Sequence, residues 1–395
     1  MAVIGSSAAI FWPGAFIFGY PGVMGPLWQQ RFGVGRGAIG NTLFFVLVAV
    51  GFFMFLVGRW QERWGTRRMI LLGSVLFGFN QFLVAFADHL WMIYAWAFIN
   101  GATASFIYIP GLTSVQRWFP EKRGLVSGIV NLVYGLSAAV MSPLFGTLLL
   151  RLGYQSMNIL LAWTALTRGV LASLATASPE GVGSAGAFPG GRTGPSAAPP
   201  GPSATVGQSL RSSSFWFLWL TWALQGAAGI ALVTLAVPYG LARLQTLTSA
   251  VMILTAFNLT NGLSRLIMGF LSDKISRTGG MSLAFLAAGI AYLLLPRVAN
   301  LPIIMVLAAV IGFAFGTLFA VSAPLAVDCF GLKHFGAIYG LVFTAYGFLS
   351  GAIGPSLSGY LLDATGANFS IVFSYLGFFC LISSFLIRRV RPFRP

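Results

Sequence analysis

The chain has 395 residues, 57% of them hydrophobic and only 8% charged, with 23 Lys and Arg against 7 Asp and Glu for a formal charge of +16; its mean hydropathy is +0.86. Soluble domains carry about 25% charged residues because something must face water, so this composition excludes a soluble particle and leaves lipid as the solvent of the apolar surface. The positive balance does not point to nucleic acid: a phosphate-binding face needs a continuous basic patch, and here the basic residues form short clusters between long apolar runs.

A membrane crossing takes about 20 apolar residues at 1.5 Å each. By that ruler the first run, near 3–27, begins almost at once and has neither a basic leader nor a cleavage site, so it reads as a first span. Five more follow near 38–58, 69–87, 90–115, 124–150 and 155–177. Residues 178–211 then bring Pro195, Pro199, Pro200 and Pro202 among Gly, Ser and Ala, a composition that predicts a flexible linker. Six further runs follow near 214–239, 247–271, 279–297, 300–327, 336–361 and 368–387, and the chain closes on a basic tail. The expected fold is an all-α membrane protein of twelve transmembrane helices: a six-helix bundle over 1–177, the linker 178–211, and a second six-helix bundle with the tail over 212–395.

The basic residues set a direction. With both termini in the cytoplasm, sixteen Lys and Arg fall in cytoplasmic loops, linker and tail, five fall outside, and Arg168 and Arg265 lie within spans; this is the positive-inside bias. A multi-pass protein of the plasma membrane (bacterial inner membrane) is expected.

The halves repeat each other. Gly58-Arg-Trp-Gln-Glu62-Arg63-Trp-Gly65-Thr-Arg67-Arg68 closes the second span, and Gly269-Phe-Leu-Ser-Asp273-Lys274-Ile-Ser-Arg277 closes the eighth. Gly58 and Gly269 are 211 residues apart, as are Phe119 and Phe330; Tyr134-Gly135 and Tyr346-Gly347 are 212 apart. One offset kept by independent landmarks indicates duplication, and six spans per copy make the halves parallel repeats, the architecture of a transporter with its site between them.

Arg265 is the residue with most to explain. A charge at mid-span costs at least about 2.5–3.5 kcal/mol, and the repeat copy of this position is Met54, so the fold does not demand it. A guanidinium offers parallel N–H groups to both oxygens of a carboxylate; the alternative is a structural arginine bonded to helix-end carbonyls. Asn261, one turn earlier on the same face, either orients the guanidinium, donates to a substrate, or makes a plain interhelical hydrogen bond. Tyr108, Tyr134 and Tyr346 combine an apolar ring with a hydrogen bond, and Phe16, Phe18, Phe315, Phe319 and Phe343 are candidate cavity walls or plain core. All seven acids (Glu62, Asp88, Glu121, Glu180, Asp273, Asp328 and Asp363) and both histidines lie away from mid-span, and Cys329 and Cys380 are far apart. No catalytic constellation, metal cluster or phosphate-cradling loop is legible, so no enzyme activity, metal or cofactor is expected.

The loop from Gly58 to Arg68, with its weaker copy after the eighth span, resembles the signature loop of the major facilitator superfamily. The resemblance covers the whole chain and implies a conformational latch at Gly58, Glu62, Arg63, Gly269, Asp273 and Lys274; otherwise the loop is merely topogenic. Arg117-Trp-Phe-Pro-Glu121-Lys122-Arg123-Gly-Leu-Val-Ser127-Gly128, Val237-Pro238-Tyr239-Gly240 and Asn261-Gly-Leu-Ser-Arg265 are similar to segments of the monocarboxylate transporters and the related oxalate/formate antiporter. In those relatives the arginine at the position of Arg265 binds the substrate carboxylate. The resemblance also implies that Tyr108, Tyr134, Tyr346 and Phe343 stand on cavity-lining spans, and that Arg168, on the outlying sixth span, snorkels or packs. This chain departs from the pattern at three places: Asn261 replaces an aspartate, Gly22 a lysine, and Tyr346 a second basic residue. One cationic site favours a monoanion.

The expected function is therefore secondary transport of a small monocarboxylate of the lactate or pyruvate type by alternating access. Proton symport is implied by the resemblance, and the lipid bilayer and the substrate anion are the expected partners. The alternatives are an anion antiporter of the oxalate/formate type and, from another class, a membrane receptor that binds without flux.

Overall fold

The computed structural model describes residues 2–119, 123–176, 204–244, 246–272, 274–331 and 334–392, with the side chains at 55, 58, 59, 62, 123–125 and 336 outside the description. Among these residues eleven helical runs are long and apolar enough to cross a membrane. One of them, Val126–Ala175, has 50 residues; it would be about 75 Å long if straight, over twice the hydrocarbon thickness. It turns at Gly153 (φ 72°, ψ 173°), a left-handed conformation that glycine adopts without steric cost, and so supplies two crossings. The total is twelve.

Span one is Ala2–Phe18 continued by Tyr20–Phe32; spans two to four are Arg36–Trp64, Thr66–Ala85 and Leu90–Trp118. Arg123–Ala175 carries spans five and six on either side of Gly153. Spans seven to ten are Ser213–Leu244, Leu247–Leu271, Arg277–Leu294 and Leu301–Phe330. Span eleven runs from Phe335 to Ala364 through π-helical turns at Ala345–Ser350 and Ala352–Ser356, and span twelve is Phe369–Ile387.

Three local features differ from the sequence reading. Span one is broken at Gly19, because Pro21 has no N–H to give to the Ile17 carbonyl and the ladder loses a rung; beside the break the Phe18 carbonyl accepts from Asn258 Nδ2 on span eight at 3.0 Å. Span eleven winds wide at the residues preceding Pro355, and π-turns of this kind gather at functional sites. The stretch 178–211 is not linker to its end: Val206–Arg211 is a short helix opened by a capping box between Thr205 and Gln208, and the Ala204 N–H bonds the Phe330 carbonyl. The Pro-rich residues upstream hid a T-x-x-Q signal that satisfies the helix's free N–H groups.

Span one packs against spans four and five, span three against four and six, span eight against seven and ten, and span nine against ten and twelve. The two halves of the chain meet along span five against span eight, along span two against span eleven, and where the second part of span one meets span seven. Glycines make these approaches possible, as small residues do where helices pack in lipid. A Cβ on Gly135 would stand 2.6 Å from Gly262 Cα, and one on Gly347 would stand 2.7 Å from Gly51 Cα. Among the described residues, hydrogen bonds between the halves lie at mid-membrane (Asn258 to Phe18) and on the side opposite the termini. There Asp363 accepts from the Arg36 and Gly37 N–H groups at 2.8 Å each, and Tyr360 Oη accepts from Asn41 Nδ2 at 2.9 Å. The halves are thus fastened on that far side.

Candidate functional site

Arg265 stands on span eight, 2% exposed, and the reason it can lie there is local. Gly135 on span five has no side chain, so Nε passes 3.3 Å from where a Cβ would be. Aromatic faces surround the guanidinium: its Cζ is 4.5 Å from the ring centre of Phe319, 5.6 Å from Tyr134 and 5.7 Å from Phe18. Such faces attract a cation through their negative quadrupole, by about 0.5–2 kcal/mol each, but they accept no hydrogen bonds in the plane of the fork. Nη2 reaches only Asn261 Oδ1, at a long 3.4 Å; Nε and Nη1 are buried without a partner. Among the described residues no helix-end carbonyl holds the side chain and no carboxylate pairs with it.

A second ring cluster adjoins the first through Phe319. Tyr346, on the first π-turn of span eleven, has its ring centre 5.4 Å from Phe319, 5.5 Å from Phe343 and 5.7 Å from Trp222. Its hydroxyl is buried and unpartnered, as are the Trp222 indole N–H and Asn261 Nδ2. The arrangement therefore concentrates donors (guanidinium, phenol, amide and indole) with almost no protein acceptor facing them. Buried donors left unpaired cost about 1–3 kcal/mol each, more when charged, so the cluster is chemically suited to a ligand rich in acceptor oxygen and carrying one negative charge.

Among the residues singled out from sequence, Arg265, Asn261, Tyr134, Phe18 and Phe319 meet directly, and Tyr346 and Phe343 lie in the adjoining cluster. Tyr108 sits behind Tyr134, ring centres 4.9 Å apart. Its hydroxyl is already committed, donating to Asn131 Oδ1 at 2.6 Å while Asn131 Nδ2 donates to the Ser127 carbonyl at 3.0 Å. Phe16 lies elsewhere, in a first-half cluster with Tyr20, Phe77 and Phe145. Trp222 and Asn258 were not singled out from sequence; a lone Trp or Asn in an apolar run gives no signal until its neighbours are known.

Of the residues expected to form the latch, Asp273 and the side chains of Gly58 and Glu62 lie outside the described residues. Arg63 is exposed, a Cβ on Gly269 would meet nothing within 4 Å, and Lys274 lies over the Phe270 ring at 4.4 Å. The ion pair described nearby joins Arg277 to Asp328, between spans nine and ten of the same half, where Arg277 also bonds the Pro324 carbonyl at 3.2 Å.

The sequence profile of the Major Facilitator Superfamily matches residues 7–253 and 227–395. The oxalate:formate antiporter of Oxalobacter formigenes is 27% identical over 345 residues, covering 85% of this chain and 79% of that protein. Human monocarboxylate transporter 11 is 28% identical over 343 residues, covering 82% and 69%. Among solved structures, a bacterial homologue of the human lysosomal transporter Spinster, in an inward-facing and unoccupied conformation, superposes with a TM-score of 0.69 over 98% of this chain and 94% of that one. Its 12% identity makes this a likeness of fold alone. The chain belongs to the major facilitator superfamily, with its twelve-helix fold, and is a membrane transporter and not an enzyme.

Proposed function

We propose that this member of the major facilitator superfamily carries small monocarboxylates of the lactate or pyruvate type across the plasma membrane, in symport with a proton. The observation that carries the reading is Arg265: a guanidinium fork, 2% exposed, with Nε and Nη1 unclaimed by protein. A carboxylate between Arg265 and the Tyr346 hydroxyl would take up those donors, and its single charge would match the single cation. The two bundles, 1–177 and 212–395, joined through 178–211, would rock about the glycine contacts of spans five and eight and of spans two and eleven. Both termini would lie in the cytoplasm by the bias of basic residues, and Gly58, Glu62, Arg63, Gly269, Asp273 and Lys274 would hold the loops that alternate between states. Binding of the anion neutralises the buried guanidinium and lowers the barrier to an occluded state, since an unpaired charge in hydrocarbon is what makes passage costly. Among the described mid-span residues there is no carboxylate, so the proton would travel on the substrate or among the phenols near Arg265.

The similarity to an oxalate:formate antiporter favours one second reading, anion exchange. Uptake of labelled lactate, pyruvate, formate and oxalate into proteoliposomes separates the two. Symport predicts lactate or pyruvate accumulation driven by an inward proton gradient in empty vesicles. Exchange predicts uptake only into vesicles preloaded with substrate. Absence of flux for all four acids in both arms would count against both readings.

A further inference from the structure

A cavity of about 650 Å³ opens between spans one, five and six, on the half of the membrane nearer the termini, and shares no lining residue with the Arg265 site; Ile4, Phe11, Val133 and Leu171 are among its apolar walls. Ile4 and Leu171 are 69% and 65% exposed, so the groove faces the hydrocarbon. Such a volume suits a ligand of some size, within the 300–1,000 Å³ typical of binding pockets. Three of its lining groups are polar and unsatisfied. Ser7 Oγ and Trp12 Nε1 are buried without a hydrogen-bond partner, and Trp12 is itself 5% exposed. The third is Arg168, an exposed arginine in mid-helix that pairs with no carboxylate among the described residues.

The depth of Arg168 narrows the ligand. It lies seven residues before the end of span six at Ala175, about 10 Å of helix rise, near enough to the bilayer surface for a snorkelling side chain and a lipid phosphate to approach each other. The fold does not require it: span twelve, the repeat copy of span six, has no charged residue from Phe369 to Ile387. An isolated cation beside an apolar groove open to lipid is complementary to an amphiphile with one acyl chain to lay in the groove and a phosphate to meet the fork. A headgroup with its own ammonium would bring a competing cation to the same place.

We propose that this groove is a binding site for an anionic phospholipid, with its phosphate on Arg168, its polar backbone at Ser7 and Trp12, and an acyl chain between spans one and five. The site is independent of the transport reading. Its test is lipid retention by the purified full chain after partial delipidation in equal phosphatidylglycerol and phosphatidylethanolamine, read by native mass spectrometry. Wild type should retain phosphatidylglycerol preferentially. Arg168→Gln should lower that retention about fivefold, the factor one basic residue contributes toward anionic lipid. Leu171→Trp keeps the charge and fills the exposed wall of the groove, so it should also lose the retained lipid. Equal retention of the two lipids by wild type would overturn the proposal, as would unchanged phosphatidylglycerol retention in either variant with its unfolding temperature preserved.

Discussion

Spans five and eight meet at Gly135 and Gly262; spans eleven and two meet at Gly347 and Gly51. The second pair is the first moved by the repeat, 211 to 212 residues along the chain, so duplication has built two like seams between the halves. Their side chains have diverged. Three residues beyond Gly262 stands Arg265, and three beyond Gly51 stands Met54, partly buried against the core. The far ends differ as well. Span eight caps its own N-terminus, with Thr246 Oγ1 accepting from the Ser249 N–H. The copy of Thr246 is Gly35, which has no side chain to cap span two, and the oxygens of Asp363 come from the other half to do so. One seam holds an unpaired cation at its middle, and the other holds an interhalf fastening at its far end. The backbone fixes where the halves touch; in the proposed reading, individual side chains decide which contact serves binding and which serves closure.

Substitutions that treat the seams alike should have unlike effects. The largest is expected at the charge: Arg265→Leu should lower monocarboxylate uptake by about 30-fold or more, the scale of losing a buried charged hydrogen-bond partner. Met54→Leu, its mirror, should stay within about twofold, since volume-conserving apolar exchanges are tolerated. Comparable losses in the two variants would mean the seams do not differ in this way. Next come the glycines, where the seams should agree. Gly135→Ala and Gly347→Ala each press a methyl group against opposing backbone and should cost about 1–3 kcal/mol by overpacking, seen as lower thermal unfolding temperatures in detergent. If either were neutral, the close approach at that seam would be wrong. Tyr346→Phe keeps the ring and removes one uncharged donor, so the apparent substrate affinity should weaken only about fivefold; an unchanged affinity would leave the phenol without a role in binding. Asp363→Ala acts on the far end of one seam. Losing a cap is worth about 1 kcal/mol, which should raise the population open on the far side about fivefold, measured by the distance between spin labels at that end of spans two and eleven. No change in that distance distribution would show that Asp363 does not fasten the halves.

Much of this was legible in the sequence, for a physical reason: apolar runs of crossing length and a constant repeat offset are chain-local signals. The turn at Gly153 was bracketed because two crossings cannot share one straight helix. The break at Gly19 was not, since Tyr20-Pro21 lies inside an unbroken apolar run and Asn258, which bonds the Phe18 carbonyl beside the break, is 240 residues away. The π-turns that carry Tyr346 were equally hidden, because wide helical turns have no hydropathy signature. At the site, Arg265 announced itself as a charge in oil. Its setting in Phe319, Tyr134 and Phe18 and the commitment of Tyr108 to Asn131 needed the fold, since each depends on partners from other spans.

Direct binding tests the proposed pairing of Arg265 with a substrate carboxylate. Calorimetric titration of purified protein with the preferred acid and with its uncharged amide should show, in wild type, strong preference for the acid; in Arg265→Gln the preference should vanish while the weak affinity for the amide persists. An Arg265→Gln protein that still prefers the acid by the wild-type margin would contradict it.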